Sequence, residues 1–369
     1  MSLAVAETPS FDTDRAEAFA ARVGEILDTG AIAVMLSLGH RTGLLDLMAQ
    51  LPPSTSERIA KEAALAERYV REWLAVMTTG RVVIYDPARR TYRLPPEHAA
   101  SLTRAGTLGN LAVYAQYVAL MGQVQERTLA CFETGEGRRY EDFPDFHQMM
   151  AEDSAQTVVA PLCETLLPLA EGLPKRLGAG IAVLDAGCGR GQALLAMARR
   201  YPRSRFTGYD LGDDAIAHAT AAARDTGLDN VRFAVRDLTH FDEVERYDLI
   251  TSFDAVHDQR DPQDLLRRLC RALRPGGLYL MQDIGGSAHL EKNLDFPMAS
   301  LLYAISCVHC TPVSIGQGGA GLGTMWGWET AEAMLAEAGF VEVTRHRLAH
   351  DPMNVWFVSR KGPSRDRAA

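Results

Sequence analysis

The chain has 369 residues, 47% of them hydrophobic, with a formal net charge of -9. That length buries a large core and leaves room for two domains, while the acidic balance argues against a general nucleic-acid binder, whose affinity rests on clustered Lys and Arg. No uninterrupted apolar stretch reaches membrane-spanning length, and Met1 to Asp14 lacks the basic-then-apolar order of a secretory signal. The six cysteines, Cys131, Cys163, Cys188, Cys270, Cys307 and Cys310, make no disulfide framework. The expectation is a cytoplasmic protein with reduced thiols and neither a membrane nor a nucleic acid as partner.

Phe11 to Gly39 places Phe19, Val23, Ile26 and Leu27 on one side of an alanine-rich helix, a face suited to packing on a second copy of the chain. A short helix, Thr42 to Met48, ends at Pro52-Pro53; Ser54, Thr55 or Ser56 caps the next helix, Glu57 to Ala63, and Glu67 to Thr78 follows. Arg81 to Tyr85 and Thr91 to Leu94 are β-prone runs joined by a turn. The pattern is a helix-turn-helix with a wing, spanning residues 1–105. Its second helix sets Glu67 and Glu72 beside Arg68 and Arg71, so its field is nearly neutral and speaks against DNA reading. Residues 106–175 read as a helical linker. Within it, Tyr140 to His147 puts aromatics beside a proline break, before a helix over Gln148 to Leu169.

Ile181 to Leu184 is a continuous apolar run, as a parallel strand covered on both faces requires. Gly187, Gly189 and Gly191 then allow a sharp turn and close approach of a ligand, and a helical pattern starts at Gln192. A dinucleotide fingerprint needs a third glycine where Gln192 stands, so the spacing is wrong for NAD. Asp185, ahead of the first glycine, is placed to hold the loop backbone or, through water, an ammonium group. Asp185-x-Gly187-x-Gly189-x-Gly191 resembles the first motif of class I S-adenosylmethionine-dependent methyltransferases. The resemblance implies S-adenosylmethionine as cofactor and S-adenosylhomocysteine as product, with Asp185, Gly187, Cys188, Gly189 and Gly191 around the methionine end.

Strand and helix alternate from there. Ser204 to Asp210 is a strand ending in an acid at the place where a βαβ unit brings a carboxylate to ribose hydroxyls, with Leu211 beside it; a plain strand-end turn is the alternative. Val231 to Val235 is the third strand, and the resemblance places Asp237 at the adenine amino group and the Leu238 N–H at the ring. Tyr247 to Ser252 is the fourth, with Phe253, Asp254 and His257 following at the pocket floor. No Asp/Asn-Pro-Pro-aromatic turn stands there, which speaks against methylation of nucleic-acid bases by that route. A helix over Pro262 to Leu273, the turn Arg274-Pro-Gly-Gly277, a fifth strand to Ile284 and an antiparallel pair, Val341 to Arg345 with Val355 to Arg360, complete the domain. The expected fold is α/β: a Rossmann-like seven-stranded methyltransferase sheet over 176–369, with a cap insertion at 285–328, behind a mostly α-helical winged-helix domain.

That organisation is similar to small-molecule O-methyltransferases of plants and bacteria, and to related actinobacterial methyltransferases. It implies a homodimer formed through the N-terminal domain, which in that family helps close the partner's active site. His257-Asp258 is similar to the family's His-Asp, whose histidine is the general base, although Gln259 replaces the tryptophan usual after it; a histidine that merely packs by the cofactor is the competing reading. In the insertion, Tyr303, His309, Met325 and Trp326 are candidate substrate contacts, joined by Phe143 and Phe146 from the linker, against plain core packing for each. Cys307-Val-His-Cys310 lacks a second Cys/His pair to complete a tetrahedral site, and no metal is expected. The reading is methyl transfer from S-adenosylmethionine to a small-molecule hydroxyl. Transfer to nitrogen, carbon or sulfur, or a winged-helix regulator that senses the cofactor, are the alternatives.

Overall fold

The computed structural model describes residues 11–143 and 146–362. Pro144 with its break, the residues before Phe11 and the tail beyond Gly362 lie outside them. Two compact units divide the chain, Met1–Ala119 and Leu120–Ala369, so residues 106–119 of the expected linker group with the first unit and 120–175 with the second.

The first unit opens on a helix, Thr13–Arg41, started by Asp12, whose carboxylate accepts from the Arg15 N–H at 3.0 Å. Helices Leu44–Gln50, Ser56–Ala63 and Glu67–Thr79 follow, then β1 (Ile84–Asp86) pairs antiparallel with β2 (Thr91–Arg93) as the wing. Leu45, Ile59, Leu74 and Met77 fill its core. Trp73 closes it by donating its indole N–H to the Met35 carbonyl at 2.8 Å, against Gly39, where a Cβ would stand 2.6 Å from the ring. Of the opening helix only Ser37, Gly39 and His40 are buried; Phe19 (69%) and Leu27 (70%) stay exposed.

The second unit is built on a seven-stranded sheet: β3 (Ala182–Ala186), β4 (Arg205–Asp210), β5 (Val231–Val235), β6 (Tyr247–Phe253), β7 (Leu273–Ile284), β8 (Phe340–Leu348) and β9 (Asp351–Lys361), in the order β5-β4-β3-β6-β7-β9-β8. The first five run parallel, and β9 pairs antiparallel with both β7 and β8. Alternate residues serve two cores: Leu184, Ile250, Tyr279 and Met281 pack on one face, Val183, Leu249, Leu280 and Trp356 on the other. The expected turn Arg274 to Gly277 lies inside β7, and the pairing with β6 shifts register there.

Two helical stretches depart from expectation. In place of one helix over Gln148 to Leu169 come an α-helix, Phe146–Ser154, two π-helical turns, Ala155–Val159 and Leu162–Leu166, and a 3-10 turn, Leu167–Leu169. Pro161 and Pro168 remove N–H donors, which breaks the regular ladder. In the insertion, Ala299–Ile305, a π-turn Ser306–Cys310 and Thr311–Gly316 form one helical run. Its 18 residues, mean hydropathy 1.3, are long and apolar enough by composition to cross a membrane, although the run is not the uninterrupted apolar stretch whose absence the sequence shows. Its Ser, Thr and His residues interrupt the apolar run in the sequence, and Leu302, His309, Cys310 and Val313 are buried within the chain.

At the end of β3, Asp185 is 2% exposed and accepts from the Thr251 hydroxyl at 2.7 Å. Burial pushes its carboxyl up to about 7, with the Thr251 bond pulling the other way. A carboxyl raised on folding leaves the folded chain binding more protons than the unfolded one, so its contribution is whole below the unfolded pKa near ~4 and is lost as pH rises through about 7. Asp185→Asn is therefore expected to raise the melting temperature at pH 8 and leave it almost unchanged at pH 4, as read by calorimetric scans across that window. Gly191 sits at φ +71 and a Cβ there would lie 2.5 Å from the Phe233 ring. Gly191→Ala should cost about 2 kcal/mol or more in denaturant unfolding.

Candidate active site

The glycine turn sits where β3 gives way to the helix Gln192–Arg200. Gly187, Gly189 and Gly191 all adopt positive φ, at +80, +50 and +71, conformations an L side chain resists. The turn is fastened to β4 beside it: the Gly187 and Cys188 N–H groups donate to the Tyr209 carbonyl at 2.9 and 3.0 Å. Asp210 continues the fastening, its Oδ2 accepting from the Gly189 N–H at 2.8 Å and its Oδ1 from the Gly212 N–H at 2.9 Å. Each oxygen keeps a further lone pair. Asp185, expected to hold the loop backbone, bonds Thr251 inside the sheet instead; Asp210 is the carboxylate that holds the turn. The sequence reading missed this because both acids end apolar strands and only the strand register tells which one turns inward.

The remaining strand ends gather at the same edge. Asp237 follows β5 and caps a 3-10 turn by accepting from the Thr239 N–H at 2.8 Å, with Leu238 buried against Phe241 and Leu211 exposed after β4. Phe253 ends β6 with its ring 5.8 Å from that of Trp356. Ala255 presses on the glycine turn: a Cβ on Gly187 would lie 2.5 Å from its methyl. Asp254 takes φ +50, donates its N–H to the Gln282 carbonyl at 3.1 Å and leaves Oδ1 buried without a partner. Burial and the neighbouring Asp283 hold its carboxyl well above the carboxylate range, with His257 opposing.

His257, 4% exposed, places Nδ1 2.8 Å from Oδ1 of Asp283, which is 1% exposed. The same oxygen accepts from the Ile284 N–H at 2.8 Å and from the Trp326 indole N–H at 3.0 Å, while Oδ2 has no partner. Burial by itself disfavours the charged ring, but Asp283 and the Cys310 thiol outweigh it, and His257 titrates well above the ordinary histidine value. Burial also pushes Asp258 up to about 6, against the pull of His257. One ligand atom each from Asp254, His257 and Asp283 lies within 4.8 Å of the others, the one His/Cys/Asp/Glu group so placed among the described residues; Cys307-Val-His-Cys310 forms none. Asp283 is the functional residue that sequence reasoning missed. Its signal was a carboxylate near the end of the mostly apolar fifth strand.

The candidate substrate contacts separate into two groups. Phe143, Phe146 and His309 come together: the Phe146 ring stacks on His309 with centroids 3.6 Å apart, and Phe143 meets it edge-on at 4.5 Å. Burial, then the charges of His257 and His147, lower the His309 pKa to about 3, so that ring is neutral. Tyr303 and Met325 instead pack with Ile284 and Leu302, Tyr303 accepting from the Asn293 amide at 2.9 Å. Trp326 positions Asp283 and belongs to the core on one face of the sheet.

Fit to S-adenosylmethionine rests on what the turn leaves unsatisfied. Arg190 Nε, a donor, and Asp254 Oδ1, an acceptor, are both buried without partners in the turn and in the segment packed on it. An amino-acid moiety carrying a carboxylate and an ammonium group supplies a partner for each, and the open direction above Gly189 leaves its backbone approachable.

Comparison with known proteins places these features. Residues 30–104 match the Rv2258c-like winged HTH domain and residues 177–339 a methyltransferase domain. The (S)-coclaurine N-methyltransferase of Papaver somniferum is 26% identical over 105 residues, 28% of this chain and 30% of that protein. The ubiquinone biosynthesis O-methyltransferase of Pseudomonas entomophila is 32% identical over 107 residues, 29% of this chain and 45% of that protein. The chain spans less than half the length of the curated relatives it matches. Among solved structures, human N-acetylserotonin methyltransferase in complex with SAM superposes with a TM-score of 0.66 at 16% identity, covering 96% of this chain and 100% of that one. The mitomycin 7-O-methyltransferase MmcR gives 0.65 at 18% identity, covering 95% and 100%. With a seven-stranded sheet of this order following a winged helix in the chain, residues 177–339 form a class I S-adenosylmethionine-dependent methyltransferase domain and residues 30–104 a winged-helix domain.

Proposed function

We propose that the protein transfers a methyl group from S-adenosylmethionine to an oxygen of a small molecule, with His257 as general base. The observation that carries the reading is the buried His257–Asp283 pair, set in the segment that packs on the glycine turn. Bound there, S-adenosylmethionine supplies an electrophilic methyl on a positively charged sulfur. Gly187 to Gly191, with Arg190, hold its amino-acid end; Asp210 faces the ribose with its spare lone pairs, and Asp237 and Leu238 the adenine. Asp283 accepts the Nδ1 proton of His257, which fixes the ring plane and aims Nε2 away from the pair as the atom that takes the acceptor's proton. Ile284 and Trp326 hold Asp283 in turn, so the base is oriented by a third layer of donors. The O-methyltransferases among the relatives and the structural neighbours support oxygen as the acceptor atom.

The winged unit serves, in this proposal, to join two copies of the chain and not to read DNA. Phe19, Ile26 and Leu27 leave a row of large apolar side chains uncovered on the opening helix, which is the kind of surface a monomer avoids. The second helix of the winged motif pairs Arg68 with Glu72, and Arg71 with Glu67 at 3.0 Å, leaving little positive field for phosphates.

In the free protein His257 keeps its second proton beyond the ordinary value of 6.5, so the base form is gained on the alkaline side of it. The expected kcat/KM profile rises with pH through that limb. His257→Gln should remove the limb and lower kcat by about 10²- to 10⁴-fold, with S-adenosylhomocysteine binding unchanged by calorimetry. Full turnover in the variant would exclude the base role and favour an amine acceptor. Changing Phe19 and Leu27 together to Glu should convert a dimer to a monomer in sedimentation experiments; a monomeric wild-type chain would remove the dimer from the proposal.

A further inference from the structure

His309 stands on the π-turn Ser306–Cys310, a helical irregularity that often marks a functional position. Its side chain is 1% exposed, and its ring is pinned by the stacked Phe146 ring and by the edges of Phe143 and Tyr140, the last with centroids 5.5 Å apart. These rings fix its plane and offer its nitrogens no hydrogen bond. Nδ1 lies 3.7 Å from the Cys310 sulfur, and that sulfur accepts from the Thr324 hydroxyl at 3.0 Å. With the sulfur accepting from Thr324, its own proton is free to donate, and we assign that bond to Nδ1. Nδ1 is then the acceptor, and the neutral ring carries its proton on Nε2. Nε2 is buried and has no partner. An orphaned buried donor costs on the order of 1–3 kcal/mol, a penalty that a ligand oxygen removes.

Cys310 also links this donor to the base, because its thiol acts on His257 as well as on His309. The insertion that carries Cys310 and His309 also supplies Trp326 to Asp283. An acceptor with a single oxygen satisfies His257 alone. We infer that His309 is a second anchor of the methyl acceptor: its Nε2–H donates to an oxygen next to the one methylated, so the acceptor carries paired oxygens, as in a catechol or an ortho-hydroxy carbonyl. The inference rests on the methyltransferase reading and names the substrate class of the same site. A site built around such a hydrogen bond rejects the analogue that lacks the oxygen, since the donor is then left unpaired.

The test compares catechol with phenol as probes, by calorimetry on the full-length chain with and without S-adenosylhomocysteine, alongside ¹⁵N spectra of the histidine rings. Catechol is expected to bind the wild-type chain at least about tenfold more tightly than phenol and to shift the His309 Nε2–H resonance. His309→Phe should bind the two probes alike, and His309→Gln, which retains a donor, should recover part of the preference. Equal affinity for the two probes in the wild type, no binding of either, or a preference kept in His309→Phe overturns the inference. S-adenosylhomocysteine binding, read in the same samples, separates this failure from that of the methyltransferase reading: its loss in the wild type counts against the latter, while its persistence with no catechol preference counts against His309 alone.

Discussion

One oxygen of Asp283 holds the site together. It accepts from the His257 ring, from the Ile284 backbone and from the Trp326 indole, and so fastens the loop after β6, the end of β7 and the insertion to a single buried point. A carboxylate taken out of water is costly unless charged and neutral donors surround it. Here the donors come from three separate parts of the chain, so the charge remains buried only when all three are in place. The sheet supplies the scaffold for this: β6 and β7 run parallel side by side, and β9 covers the far edge of β7.

The ends of the parallel strands collect carboxyl groups. Asp210, Asp254, Asp258 and Asp283 lie along one edge, with the buried His257 among them and Asp185 beneath in the sheet. Burial and mutual repulsion raise the carboxyls of Asp185, Asp254 and Asp258. Such an edge is costly as it stands and is relieved by a cation, which is the electrostatic logic of a pocket for a sulfonium. The glycine turn contributes the complementary feature, a backbone without side chains that is fixed by the Tyr209 carbonyl and the Asp210 carboxylate. The rigidity of the turn comes from β4, so the neighbouring strand sets its geometry as much as its own glycines do.

The insertion is apolar where it meets the sheet and polar where it bends. Its π-turn and glycines let Cys310 and His309 point inward from a short segment, while Glu329 accepts from the Ser287 hydroxyl at 2.6 Å and from the Ala288 N–H at 3.0 Å to hold the other end. The aromatic residues around His309 come from a different part of the unit, near residues 140–147. The cage therefore forms only where the two segments meet.

The sequence by itself determined the strand and helix alternation, the glycine turn, the winged-helix pattern and the place of His257 after the fourth strand, because each is written in local periodicity or in residues that few backbone conformations accept. It left open which carboxylate faces the turn, and it hid the interrupted helices, where Pro161 and Pro168 redirect the hydrogen bonds of a run whose periodicity reads as continuous. Tertiary structure alone decided that Asp283 orients His257, that the Trp326 indole donates to Asp283, and that His309 is a neutral, caged ring. Those facts depend on burial and on contacts between segments far apart in the chain, which change what a side chain can bond and which protons it keeps. No local pattern carries that information.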